Sequence, residues 1–302
     1  MRRRAFLAAG LALLSAPAAA EIEVSDRRGA QSFDAVPERV VVMDWALAEQ
    51  VLDLGITPVG APELDLYRDW VGQPAMPDDV TDIGLRTEPN LERLAALSPD
   101  VIVASGVEPD QIAVLERIAP VLAFDAFSAD HDNVAAARDI FLTLARLFGR
   151  EDRAEEKLAA MEDELDRIAA DLEERYGDRL TQVTAVRLND DSTVWIYGDN
   201  SIPTYVLGRL GFDPEVPVAA SKWGVAQRPL EDLAKVEEGA LLAIRPHMGG
   251  AAAFDSPLWQ ALPAVRAGRF AEAEPVWSYG GILSVLRHAR AFRDALTMLD
   301  PS

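Results

Sequence analysis

The sequence predicts an α/β protein made of two similar lobes, each with a mostly parallel sheet, joined by one long rigid helix. Three observations lead there. Short β-branched runs alternate with helical patterns on both sides of the chain's middle, as in strand–helix–strand units. The middle itself, residues 151–176, has neither Gly nor Pro and carries a single apolar stripe. The segments after it repeat, in the same order, motifs found before it.

Taken in order, residues 39–44 (Arg-Val-Val-Val-Met-Asp) form a strand, and residues 46–54 form a helix that Gly55 stops. Residues 91–97 are helical and end before Pro99, residues 101–104 are a buried strand, residues 111–118 a helix and residues 121–124 a strand. In the long helix Ala154, Leu158, Met161, Leu165, Ile168 and Leu172 follow one another at alternating steps of four and three, so one face is apolar. The stripe is short for a coiled coil and suits a strut lying against both lobes. After Gly177, residues 183–188 and 193–197 are strands, 203–210 a helix stopped by Gly211, and 241–244 a strand. A helix starts at Leu230, and residues 282–299 make a last amphipathic helix.

The repeat is read from two pairs. Val51-Leu52-Asp53-Leu54-Gly55-Ile56-Thr57-Pro58 matches Val206-Leu207-Gly208-Arg209-Leu210-Gly211-Phe212-Asp213-Pro214. Asn90-Leu91-Glu92-Arg93-Leu94-Ala95 matches Pro229-Leu230-Glu231-Asp232-Leu233-Ala234. The resulting division is a leader (1–20), an N-terminal lobe (21–150), an interlobe helix (151–176) and a C-terminal lobe (177–302).

Arg2, Arg3 and Arg4, an apolar run over residues 5–14 and Ala18-Ala19-Ala20 have the anatomy of a signal peptide cut between Ala20 and Glu21. Arg3-Arg4-Ala5-Phe6-Leu7 makes it a twin-arginine type, with an ordinary secretory signal as the alternative. The chain has no cysteine, which excludes disulfides, thiolate metal sites and a lipid-modified cysteine after the leader. A free, monomeric protein of the periplasm is expected. The formal charge of −21 repels nucleic acid and anionic lipid, so neither is an expected partner.

No phosphate-binding glycine loop, dinucleotide fingerprint or nucleophile elbow occurs. His131, His247 and His288 lack metal-ligand spacing. The chain is therefore expected not to be an enzyme and to hold no cofactor. What stands out instead is a set of aromatic and basic loop residues contributed by both halves. These are Tyr67-Arg68-Asp69-Trp70, Arg86 before a helix, Lys222-Trp223-Gly224, and Trp277-Ser278-Tyr279 before the last helix. Such residues line a cleft in which a large organic ligand stacks on the rings and an Arg anchors its oxygens. Trp45, Trp195 and Trp259 are assigned to packing.

The chain resembles the periplasmic binding proteins for iron–siderophore complexes, and among them the ferric hydroxamate (ferrichrome-type) group. The residues that carry this are Tyr67-Arg68-Asp69-Trp70-Val71, the run from Ile83 to Glu92, the run from Pro257 to Phe270, and Val276-Trp277-Ser278-Tyr279-Gly280. The resemblance implies two lobes around a shallow cleft, with Arg86 hydrogen-bonding the hydroxamate oxygens around iron. It further implies that Trp70, Trp223, Trp277 and Tyr279 line the cleft, and that iron is held only by the siderophore. It also implies that Glu92 and Glu231 dock on an inner-membrane ABC permease. One departure is that the family's Tyr after the strand at 101–104 is replaced by Ser105-Gly106-Val107-Glu108. Tyr67 is the expected substitute for that contact. The rival readings are a same-fold protein for cobalamin or haem, or a periplasmic enzyme.

Overall fold

A computed structural model describes residues 21–248 and 251–300. The leader, with its twin-arginine motif and cleavage site, lies outside the described residues.

The chain opens with a hairpin, β1 (Ile22–Asp26) and β2 (Gly29–Phe33). The N-terminal lobe follows as β3 (Val40–Val42), α1 (Trp45–Asp53), β4 (Gly60–Ala61), α2 (Leu64–Trp70), β5 (Thr81–Asp82) and α3 (Leu91–Ala96). It continues with β6 (Val101–Ser105), α4 (Pro109–Leu115), β7 (Val121–Phe124) and α5 (Asn133–Phe148). The long helix is α6 (Glu151–Tyr176). The C-terminal lobe comprises β8 (Val183–Leu188), β9 (Thr193–Tyr197), α7 (Ile202–Arg209), β10 (Val225–Pro229) and β11 (Ala240–Ile244). It closes with α8 (Pro257–Ala261), α9 (Pro263–Arg266), β12 (Phe270–Ala273) and α10 (Ser284–Leu296).

The first sheet runs β5-β4-β3-β6-β7 with every pair parallel. Its central strands are apolar on both faces because helices cover both. Val40 and Val42 join the core that faces α6, while Val41 joins a second cluster with Ile83, Leu94 and Ile102 on the other side. The second sheet runs β10-β9-β8-β11-β12 and is mixed: β8, β11 and β12 are parallel, and β9 and β10 form antiparallel pairs. The same two-sided burial holds in β11, where Leu242 and Ile244 face one core and Leu241 and Ala243 the other. The turn at Leu230 is a 3-10 helix, Leu230–Lys235, instead of the α-helix its N-terminal counterpart α3 forms. Sequence periodicity missed the hairpin, α2 and α5, which have short or Ala-rich apolar patterns.

The strut α6 is 26 residues, about 39 Å at 1.5 Å per residue. Its predicted stripe residues are all buried. They sit in a core cluster that runs without interruption from Val40 and Phe141 in one lobe to Val183 and Phe292 in the other. Polar bonds fasten both ends and the middle. Arg153 Nε donates to the Asp53 carbonyl (3.0 Å), Arg209 pairs with Glu162 (2.7 Å), and Tyr176 Oη donates to the Leu296 carbonyl (2.5 Å). A shared core with bonds at both ends opposes hinge opening.

The two lobes also meet directly where the loop before α10 lies on α1. A Cβ at Gly281 would stand 2.3 Å from Gln50 Cγ, so only glycine permits this approach. Beside it Arg287 of α10 reaches into α1, with 3.0 Å to Glu49 and 2.7 Å to Asp53. Glu49 is fully buried, and loss of hydration raises its carboxyl to about 8, against the pull of Arg287 and with the push of Asp53 and Asp44. The folded chain keeps this proton where the unfolded chain, at 4.5, has released it. The contribution is therefore present below the unfolded value and is lost as pH rises toward about 8. In chemical denaturation, Glu49→Gln should gain about 2 kcal/mol or more relative to wild type between pH 5 and pH 9, at roughly 1.4 kcal/mol per unit of pKa displacement. Parallel stability curves for the two proteins would show that Glu49 carries no proton at neutral pH.

Candidate functional site

The five parallel strands of the first sheet all end toward the second lobe, and the site is built from the loops that leave those ends. The strand order reverses between β3 and β6, and ligands of open α/β sheets bind at such a switch point. Asp44 and Trp45 follow β3, Glu63 follows β4, Arg86 and Thr87 follow β5, Ser105 ends β6 and Gly106 follows it, and Phe127 follows β7. The opposite wall comes from the second lobe: Trp195 on β9, Lys222 and Trp223, Val225 and Gln227 on β10, and Trp277 and Tyr279 after β12. Together they enclose a cavity of about 830 Å³ between the lobes.

Arg86 stands on a tight loop. Gly84 takes φ +94°, and Asn90 N–H closes the loop on the Ile83 carbonyl at 2.7 Å. The guanidinium then sits over Trp45, with its carbon 3.7 Å from the ring centroid and 5.6 Å from that of Trp277. Its Nε donates to Glu63 Oε2 at 2.5 Å. No hydrogen bond to another described residue uses the two Nη groups, which form a two-pronged donor at the cavity.

Across from Arg86 the aromatic rings touch edge to face in a connected wall. Trp277 meets Tyr279 at 5.1 Å between centroids and Tyr279 meets Trp223 at 5.8 Å. Phe127 of the first lobe closes the ring against Trp223 at 5.7 Å. Trp223 is half exposed, an open aromatic face at the mouth of the cavity. Burial raises the Tyr279 phenol well above its usual value, so its hydroxyl is a neutral donor at any ordinary pH. Among the described residues no three His, Asp or Glu side chains converge to hold a metal ion.

Of the residues singled out from sequence, Arg86, Trp223, Trp277 and Tyr279 line this cavity. Trp70 stands behind it, edge-on to Trp277 at 5.9 Å and under the buried Arg187 guanidinium at 5.2 Å. Arg187 itself bonds Tyr197, the Val276 carbonyl and Ser278, and so props the loop that presents Trp277. Tyr67 is a correction. It is fully buried, and its hydroxyl is spent on the Pro74 carbonyl at 2.8 Å, because α2 turns that face into the core and away from the cleft. Its hydroxyl is therefore not available to the cleft, where the sequence placed it. The loop at Gly106 stays open, with nothing within 4 Å of where a Cβ would stand. Trp45 and Trp195, assigned from sequence to packing, both border the cavity. Trp45 does both, almost fully buried with one face under Arg86. Trp259 is buried in the outer core of the second lobe. Glu92, in the first turn of α3, and Glu231, in the 3-10 turn after β10, are exposed. Asp44, Glu63 and Phe127 were missed. Their only sequence signal is position, within a few residues of a strand's C-terminal end.

Comparison with known proteins places these features in context. The profile of a periplasmic binding protein family matches residues 40–276. The iron(3+)-hydroxamate-binding protein FhuD of Escherichia coli (strain K12) is 34% identical over 263 residues, 86% of this chain and 87% of the relative. The Fe(3+)-citrate-binding protein YfmC of Bacillus subtilis (strain 168) is 29% identical over 258 residues, 83% of this chain and 78% of that one. Among solved structures, the siderophore-binding protein FhuD of Vibrio cholerae with bound Fe3+–Desferal superposes with a TM-score of 0.83. It is 46% identical, over 86% of this chain and 97% of that one.

Proposed function

The chain belongs to the periplasmic binding protein family, and from that premise we propose that it carries a ferric siderophore of the hydroxamate type through the periplasm to an ABC importer in the inner membrane. The observation that carries this reading is the Arg86 fork, held over Trp45 and facing an aromatic wall supplied by both lobes. In a ferric trihydroxamate the siderophore fills the coordination sphere of iron. The protein then meets a rigid organic shell with partly negative oxygens, and needs donors and ring faces in place of metal ligands.

The rest of the reading follows. The protein acts as a binder and not as an enzyme. It works as a free monomer whose lobes comprise residues 21–150 and 177–302, after export through the twin-arginine leader. Glu92 and Glu231 serve as docking residues for the permease. The cleft edge supports that role: each glutamate lies a few residues beyond a cavity-lining segment, Arg86–Thr87 in one lobe and Gln227 in the other. Two such charges, one per lobe, suit a receptor built of two similar halves.

Tryptophan fluorescence tests the ligand class, since Trp45, Trp195, Trp223 and Trp277 all border the cavity. Ferric desferrioxamine should quench it with a saturating, one-site curve, while ferric citrate, haem and cobalamin should produce none at the same concentrations. Saturation by haem or cobalamin alone would replace the hydroxamate reading with its rival.

A further inference from the structure

The Arg86 charge is not left free to the cavity. Glu63, only 13% exposed at its side chain, takes the guanidinium Nε at 2.5 Å. The backbone builds this pair deliberately. Glu63 sits at φ 51° and ψ 52°, a left-handed conformation that a residue with a Cβ rarely adopts. Its N–H donates to the Gly84 carbonyl at 3.0 Å. Asp82 ties the same two loops, accepting from Leu64 N at 2.9 Å and Gly84 N at 2.7 Å. The loops that carry Glu63 and Arg86 are thus one unit.

A second carboxylate lies beside it. Asp44 Oδ1 caps α1 through Leu47 N at 2.9 Å, while its buried Oδ2 has no hydrogen-bond partner and the residue borders the cavity. Burial raises this carboxyl to about 6, opposed by the Leu47 N–H and the Arg86 charge, both of which favour its ionised form. The cavity therefore sets two cations, Arg86 and Lys222, against two anions, Glu63 and Asp44. Its donors are strong but its net charge is close to zero.

We propose that Glu63, with Asp44 beside it, determines the charge specificity of the cavity, admitting neutral and cationic ferric complexes and rejecting anionic ones. This rests on the hydroxamate reading. Three hydroxamates balance the charge of Fe3+, whereas three catecholates leave it surrounded by a net negative shell, which a cavity without surplus positive charge cannot compensate.

A charge series on one iron-binding core isolates the effect. Ferric desferrioxamine B carries a pendant ammonium, its N-acetyl derivative is neutral there, and its N-succinyl derivative ends in a carboxylate. Titrations of the wild type should rank the cationic and neutral complexes above the anionic one. Glu63→Gln should raise the ratio of anionic to cationic affinity by about tenfold. Asp44→Asn retains the helix cap and should move the same ratio in the same direction, which keeps the test open if Glu63→Gln does not fold. Equal loss for all three complexes in Glu63→Gln would mean that Glu63 only positions Arg86, and would overturn the proposal. So would a wild type that binds the three alike. A wild type that binds none of the three would instead overturn the hydroxamate reading, and the charge proposal with it.

Discussion

Replacing Arg86 with alanine should lower affinity for a ferric trihydroxamate by tenfold or more. The guanidinium is a charged, two-pronged donor at the cavity, and a hydrogen bond to a charged group is worth about 1.5–3 kcal/mol, which is roughly one to two decades in affinity. Two further contacts, already made in the free protein, are lost with it and lower stability instead of affinity. Trp45 loses the cation seated 3.7 Å over its ring, and Glu63 loses its partner in a site where it is mostly buried. Arg86→Lys should recover only part of the affinity, since an ammonium restores the charge but neither the planar stacking nor the two-pronged geometry. Quenching titrations of wild type, Arg86→Ala and Arg86→Lys give the ranking, with thermal melts to confirm that each variant is folded. A folded Arg86→Ala protein with wild-type affinity would move the binding site away from this cavity.

The second large effect appears only in cells. Glu92→Lys combined with Glu231→Lys should leave binding of the ferric complex within about twofold of wild type and abolish siderophore-dependent growth. Both side chains are exposed and neither borders the cavity, so the ligand site is untouched. An oppositely charged partner surface would meet two reversed charges, and like charges brought together at an interface cost several kcal/mol. Each glutamate also sits in the first turn of a helix, where a carboxylate favours the helix dipole by about 0.3–1 kcal/mol. If that were its whole role, the double variant would melt slightly earlier and transport normally. Normal uptake would therefore reduce the echo between Leu91-Glu92 and Leu230-Glu231 to shared helix architecture.

The pattern of what could be read in advance has a physical basis. Residues 151–176 were legible as one helix because an apolar stripe at steps of three and four is dictated by helix geometry alone. The strands at 183–188 and 193–197 were legible because β-branched runs pack on both faces. By contrast α5 carries a buried face of Val134, Ala137, Ile140, Phe141 and Leu144 that alanines dilute in sequence, and β4 and β5 are two residues each. Such short strands exist only because neighbours pair with them. The turn at Leu230 became a 3-10 helix although its motif matches that of α3.

The site divides in the same way. The sequence by itself determined the α/β class, the strut, and the chemistry available to the cleft: an arginine and a set of loop aromatics with no catalytic or metal-ligand motif. Residue type and short-range spacing carry that information. Only the tertiary structure decided which aromatics face the cavity. Tyr67 and Trp70 share one short helix, yet Tyr67 turns into the core and Trp70 backs onto Trp277. Trp45 follows a buried strand, yet offers a face to Arg86. The pairing of Arg86 with Glu63 joins residues 23 positions apart, through loops stitched by Asp82. Facing, burial and charge compensation depend on what the rest of the chain packs against a side chain, and that is fixed when the two lobes close on α6, not by the local sequence.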